Sequence, residues 1–111
     1  MKEIPSIENK ESAEQRLVRL LKEKGAEDPE AQSFLDLWTR EQEKRVEESN
    51  DSVGQIELNL KRARLYFDSG YTEEAFENFD AARVQAWNEN REELYKAIMA
   101  EMDMLEKGLE K

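Results

Sequence analysis

Helix breakers are scarce in this chain, and they fall where helices would start and stop. Only four Gly and two Pro occur in 111 residues, while Ala, Leu, Glu, Lys, Arg and Gln dominate, all strong helix formers. No segment alternates β-branched residues at period two, so the fold class is all-α. Ser12 reads as an N-cap with Gln15 as its capping-box partner. Ala13, Leu17, Leu20 and Leu21 follow at helical spacing, and Gly25 stops a first helix over 12–24. Asp28 caps a second helix, with Pro29 at its first position, where a missing N–H costs nothing. Phe34, Leu35, Trp38 and Val46 form its stripe, Glu41 and Arg45 are placed to pair, and Ser49-Asn50-Asp51 ends it after residue 48. Ser52 and Gln55 open a third helix with a capping box. Its stripe is Val53, Ile56, Leu60, Ala63 and Phe67, and Gly70 closes it. Thr72 caps a fourth helix with Ala75, Phe79, Ala82 and Ala86 on one face. Asn90 with Glu93 starts a fifth, whose stripe is Leu94, Ile98, Met102, Leu105 and Leu109. Whether helices four and five are separate or continuous is left open at this level. The expectation is a flexible polar tail over 1–11 and one helical domain over 12–111, a compact bundle of four to five antiparallel helices.

Composition then removes whole classes of chemistry. With no Cys and no His, there is no disulfide, thiol nucleophile, imidazole base or Ser-His-Asp triad. The zinc knuckle and the Glu-x-x-His di-iron site go with them. No cofactor, metal site or catalytic residue is expected. Seventeen Lys and Arg against 27 Asp and Glu give a net charge of −10, which opposes nucleic acid and anionic membranes alike. The longest apolar run is Ala97-Ile98-Met99-Ala100, far short of a membrane span. The N-terminal residues lack the apolar core of a signal peptide, and a cytoplasmic location is the expectation. At long range the acidity favours basic partners.

The most specific stretch runs from Ile56 to Trp87. Ala63, Tyr66, Gly70, Ala75, Phe79 and Ala82 fall at spacings of three, four, five, four and three. Two helices joined by a turn approach to about 8–9 Å only where small residues face each other. Ala63, Ala75 and Ala82 supply those residues, Tyr66 and Phe79 fill the volume beside them, and Gly70 permits the left-handed turn. This run, about 56–89, resembles a tetratricopeptide repeat (TPR). With Ala63 at the eighth repeat position, all six residues match the family's preferences. Trp87 stands where the family often has Pro. In the preceding frame Pro29, Glu41, Arg45 and Glu48 break the pattern. In the following one Ala97 fits but Ala100 and Met104 do not. With one repeat where arrays usually need about three, helices one, two and five must cover it.

The resemblance implies a non-enzymatic protein–protein interaction module, adaptor or chaperone-like, that binds a protein or peptide on the first helix of the hairpin. Carried over, the candidate partner-binding residues are Glu57, Leu60, Arg64, Phe67 and Asp68. Leu60 and Phe67 could instead be buried by neighbouring helices. The family members that clamp a C-terminal carboxylate use Lys and Asn on this face, where Leu60 and Arg64 stand. Lys61, Arg62 and Arg64 form either a patch for an acidic motif or internal pairs such as Glu57 with Lys61. Glu73 and Glu74 suit the positive end of helix four. Trp38 and Trp87 either anchor a partner or fill the core. Met102 reads as core and Met104 as partly exposed. The alternative function is a self-associating structural bundle that pairs through helix five, so monomer and homodimer both stay open. An enzyme working with carboxylates alone finds no support in the spacing.

Overall fold

The computed structural model describes residues 11–49 and 52–109. Residues 1–10 of the expected tail over 1–11, Asn50 and Asp51 of the expected Ser49-Asn50-Asp51 break, and the Ser52 side chain of the proposed capping box lie outside them. Glu11, the last residue of that tail, is described, and its carboxylate accepts from the Arg19 guanidinium at 2.9 and 3.0 Å. Five helices follow one another: α1 (Ala13–Lys24), α2 (Pro29–Ser49), α3 (Ser52–Asp68), α4 (Thr72–Asn88) and α5 (Glu92–Leu109). No strand occurs among the described residues, and the protein is an all-α bundle.

Local chemistry sets most of the helix ends. Ser12 and Gln15 form the reciprocal capping box at the start of α1, with both bonds at 3.0 Å. Asp28 Oδ2 accepts from the Glu30 and Ala31 amides, which makes it the cap of α2, with Pro29 in the first turn. At the end of α3 the Tyr71 amide donates to the Tyr66 carbonyl and the Gly70 amide to that of Phe67. This is a Schellman close, with Gly70 at φ +92. Its usual apolar contact is here an edge-on pair of rings, Tyr66 and Tyr71, with centroids 6.4 Å apart. The same close recurs at the end of α4, where Arg91 N–H donates to Ala86 and Asn90 N–H to Trp87. Asn90 sits at φ 60, a conformation that Asn tolerates better than most residues. Helices α4 and α5 are therefore separate, and Asn90 stops one helix rather than starting the next. Thr72 is likewise not a cap. It is the first residue of α4, and Tyr71 before it makes no side-chain capping bond.

Packing divides into two apolar clusters that meet at α3. One gathers Leu17, Leu20 and Leu21 of α1, Ala31 and Trp38 of α2, and Leu58 and Leu65 of α3. The other gathers Ile56, Leu60 and Ala63 of α3, Phe79, Ala82 and Ala86 of α4, and Ile98 of α5. Leu58 and Leu65 are seven residues apart, hence on one side of α3, opposite the Ile56–Leu60–Ala63 stripe. Sequence reading found only the latter stripe, so α3 is apolar on two sides rather than one. Each fully buried Leu, Ile or Phe here is worth roughly 1.5–3 kcal/mol over exposure. Ala63, Ala75 and Ala82 are all completely buried, which lets α3 and α4 pack closely.

A polar staple joins the two hairpins. The Tyr71 phenol accepts from the Ala26 amide at 2.8 Å and donates to the Leu21 carbonyl at 3.2 Å. It thus ties the α3–α4 turn to the α1–α2 turn. Between α1 and α2, the Trp38 indole N–H donates to Glu14 Oε2 at 2.9 Å, and the Arg16 guanidinium lies over the Phe34 ring, 4.7 Å from its centroid.

Candidate functional site

With two sides of α3 apolar, its remaining surface is limited. A third side is half-covered by α4, where Asn59 Nδ2 donates to Gln85 Oε1 at 3.3 Å. The fourth is open and carries Glu57, Lys61, Arg64 and Asp68, all exposed and spaced at four, three and four. The five candidate residues therefore divide. Glu57, Arg64 and Asp68 stand on this open side. Leu60 is only 6% exposed and belongs to the α4–α5 cluster. Phe67 is half-buried and set edge-on to Phe76, with ring centroids 6.2 Å apart.

Two grooves flank the open side. One, of about 330 Å³, runs between α1 and α3, with Val18 and Leu65 as apolar floor and Glu14, Gln15, Lys61, Arg64 and Asp68 around it. The other, of about 340 Å³, lies between α3 and α5 and is bounded by Glu57, Leu60, Lys61, Arg64 and Leu94. Arg64 lines both grooves. Its Nε and Nη2 donate to the two oxygens of Glu101 on α5, at 2.9 and 2.8 Å. That fork fixes the guanidinium between the grooves, and the hydrogen bond to Glu101 raises its pKa further above the ordinary arginine value.

The other cations of the cluster are differently placed. Lys61 Nζ donates at 3.4 Å to Oε1 of Gln42, a side chain only 8% exposed on α2. The expected Glu57–Lys61 pair is not among the ion pairs of the described residues, and neither is Glu41–Arg45. Arg62 Nε is buried without a hydrogen-bond partner. Sequence reading missed the α1 contribution to the first groove. Val18 sits one residue off the Leu17–Leu21 stripe, and Glu14 lies one turn before it. Broadening that stripe by one position would have found both.

Chemically, the site offers fixed charges of both signs beside shallow apolar floors. Among the described residues the carboxylates with displaced pKa values, Glu11 and Glu14, are both shifted down, Glu11 chiefly by its bond to Arg19 and Glu14 chiefly by the indole of Trp38. A general acid would need the opposite shift. Among the described residues no group of three or more acidic side chains could hold a metal ion, and no helix is long and apolar enough to cross a membrane.

Of the two tryptophans, Trp38 is core at 3% exposure, whereas Trp87 is 63% exposed and lies against Tyr95 with the rings tilted at 54°. Met102 is half-buried, and Met104 is 65% exposed.

No family model, curated protein or solved structure matches the chain.

Proposed function

We propose that this chain is a non-enzymatic protein–protein interaction module, adaptor or chaperone-like, built on a TPR-like hairpin and working in the cytoplasm. The hairpin reading is supported by the burial of Ala63, Ala75, Phe79 and Ala82 and by the positive φ of Gly70. The binding reading is carried by the open side of α3, where Glu57, Lys61, Arg64 and Asp68 stand over two grooves with apolar floors. A peptide of mixed charge with small apolar side chains has the complementary chemistry. Self-association through α5 is less favoured, because Leu94, Ile98, Met102 and Leu105 pack into the protein's own core.

The test is affinity capture from lysate at low salt, with Arg64→Glu/Asp68→Lys alongside and Glu23→Gln/Lys24→Gln as a control on an outer face of α1. All four side chains are exposed, so each variant should fold, which circular dichroism checks. A band held by the native chain and the control but lost with the α3 variant supports the reading. A band held equally by all three counts against it.

A further inference from the structure

The crease between α4 and α5 is a second surface, on different residues from the open side of α3. Its far end is a groove of about 410 Å³ with Phe76 and Met102 as floor and Glu73, Glu77, Asp80 and Glu106 as rim. Its near end, by the α4–α5 turn, is the pair Trp87 and Tyr95, with ring centroids 5.0 Å apart. Helical spacing fills the middle. Val84 lies four residues after Asp80 and three before Trp87, and Met99 lies four after Tyr95 and three before Met102, so both share this face. Val84, Trp87 and Met99 are 41%, 63% and 41% exposed. They are half of the large apolar side chains left in solvent among the described residues.

The charges at the far end are poorly compensated. Asp80 is paired with Arg83, the cation beside it on α4. Lys96 is drawn to Glu92 and Lys107 to Asp103. Glu73, Glu77 and Glu106 enter no ion pair among the described residues. The crease is thus an apolar strip that ends in three carboxylates with no ion pair among the described residues. A second copy of this acidic chain, an anionic membrane and nucleic acid all bring like charge to it.

We propose that the α4–α5 crease docks a basic amphipathic helix of a partner protein, with apolar side chains over Trp87, Val84 and Met99 and Lys or Arg beside Glu73, Glu77 and Glu106. The Trp87 indole, tilted against Tyr95, is an aromatic anchor, and the carboxylates set the orientation and draw the partner in. Helices of the length of α4 and α5 offer a track of about 25 Å, enough for four to five turns of such a ligand.

The probe is a Trp-free, 18-residue synthetic helix with one face of Leu and the other of Lys. Its controls are the same helix with Glu for Lys, and a scrambled Leu/Lys peptide. Trp87 reports binding directly, since its emission moves to the blue as the indole leaves water, while buried Trp38 is the constant background. The expected result is a saturable blue shift with the Leu/Lys helix and none with the Glu helix. Affinity should fall about three- to tenfold in Glu77→Gln/Glu106→Gln, and further in Trp87→Ala, read by peptide anisotropy. Glu57→Gln and Lys61→Gln on α3 should leave it unchanged, which separates this surface from the one under Proposed function. Equal affinity for the Glu77/Glu106 variant, equal binding of the scrambled peptide, or loss of binding with the α3 variants would overturn the proposal. So would a blue shift of the protein alone with rising concentration, which would make a second copy the occupant.

Discussion

Replacing Tyr71 by Phe removes one oxygen and leaves the ring on Tyr66. That oxygen accepts from Ala26 N–H at 2.8 Å and donates to the Leu21 carbonyl at 3.2 Å. The carbonyl keeps a second partner, because Gly25 N–H also donates to it at 3.0 Å. The Ala26 amide keeps none. The cost is therefore that of one half-buried amide left unpaired, about 1–2 kcal/mol, with little added by the longer bond. For a domain of this size that lowers Tm by roughly 4–10 °C. Urea titration followed by circular dichroism should show the midpoint falling with the slope unchanged. Tyr66→Phe is the control: the same chemical change on the neighbouring ring, five residues earlier, where the hydroxyl has no hydrogen bond among the described residues. It should stay within about 0.5 kcal/mol of the native protein. Hydrogen exchange adds a local reading, since the Ala26 amide should lose protection in Tyr71→Phe alone. Equal costs for the two variants, or an Ala26 amide still protected, would refute the stapling role.

Two further outcomes follow from the same packing. The indole of Trp38 holds the Glu14 pKa below its ordinary value. The stability this bond contributes is present above the ordinary carboxylate pKa and is lost as pH falls through the lowered one. Glu14→Gln should therefore flatten the acid limb of a Tm-against-pH curve, and an unchanged limb would count against the coupling. Ala82→Leu puts three extra carbons into a completely buried site between α3 and α4 and should cost about 1–3 kcal/mol in urea titration. A neutral result would mean that the helices are not in close contact there.

Much of this architecture could be read from residue order, because helix ends are governed by neighbours in sequence. Ser12 with Gln15, Asp28 before Pro29, and Gly70 all act over three to five residues, and all stand where spacing put them. The Ala63, Ala75 and Ala82 positions were equally legible, since small residues at fixed spacing have few uses in a helical hairpin. What failed depends on which helix lies opposite. A stripe count assigns each helix one buried face, so Leu58 and Leu65 passed as incidental when they are the second face of α3. Trp87 has the composition of a core residue, and only the Asn90 turn shows that the bundle ends before covering it. Exposed charges choose partners by tertiary proximity. Arg64 therefore reached Glu101, 37 residues away, and Lys61 reached Gln42 instead of the nearer Glu57. Of the candidate site, the charged members kept their exposure, whereas Leu60 went to the helix it helps to hold.

The two-sidedness of α3 shapes how the protein comes apart. The apolar clusters on either side share no buried residue except through this helix. Helices α1 and α2 can detach while α3, α4 and α5 keep their cluster, and α5 can detach while the α1–α3 cluster stays. Neither cluster outlives α3. Its amides should therefore be the last in the molecule to exchange with solvent, opening only in the global event. Strain or binding energy applied at one end reaches the other through α3 and through the Tyr71 staple at its C-terminal turn, so the molecule behaves as two cooperative units with a common spine.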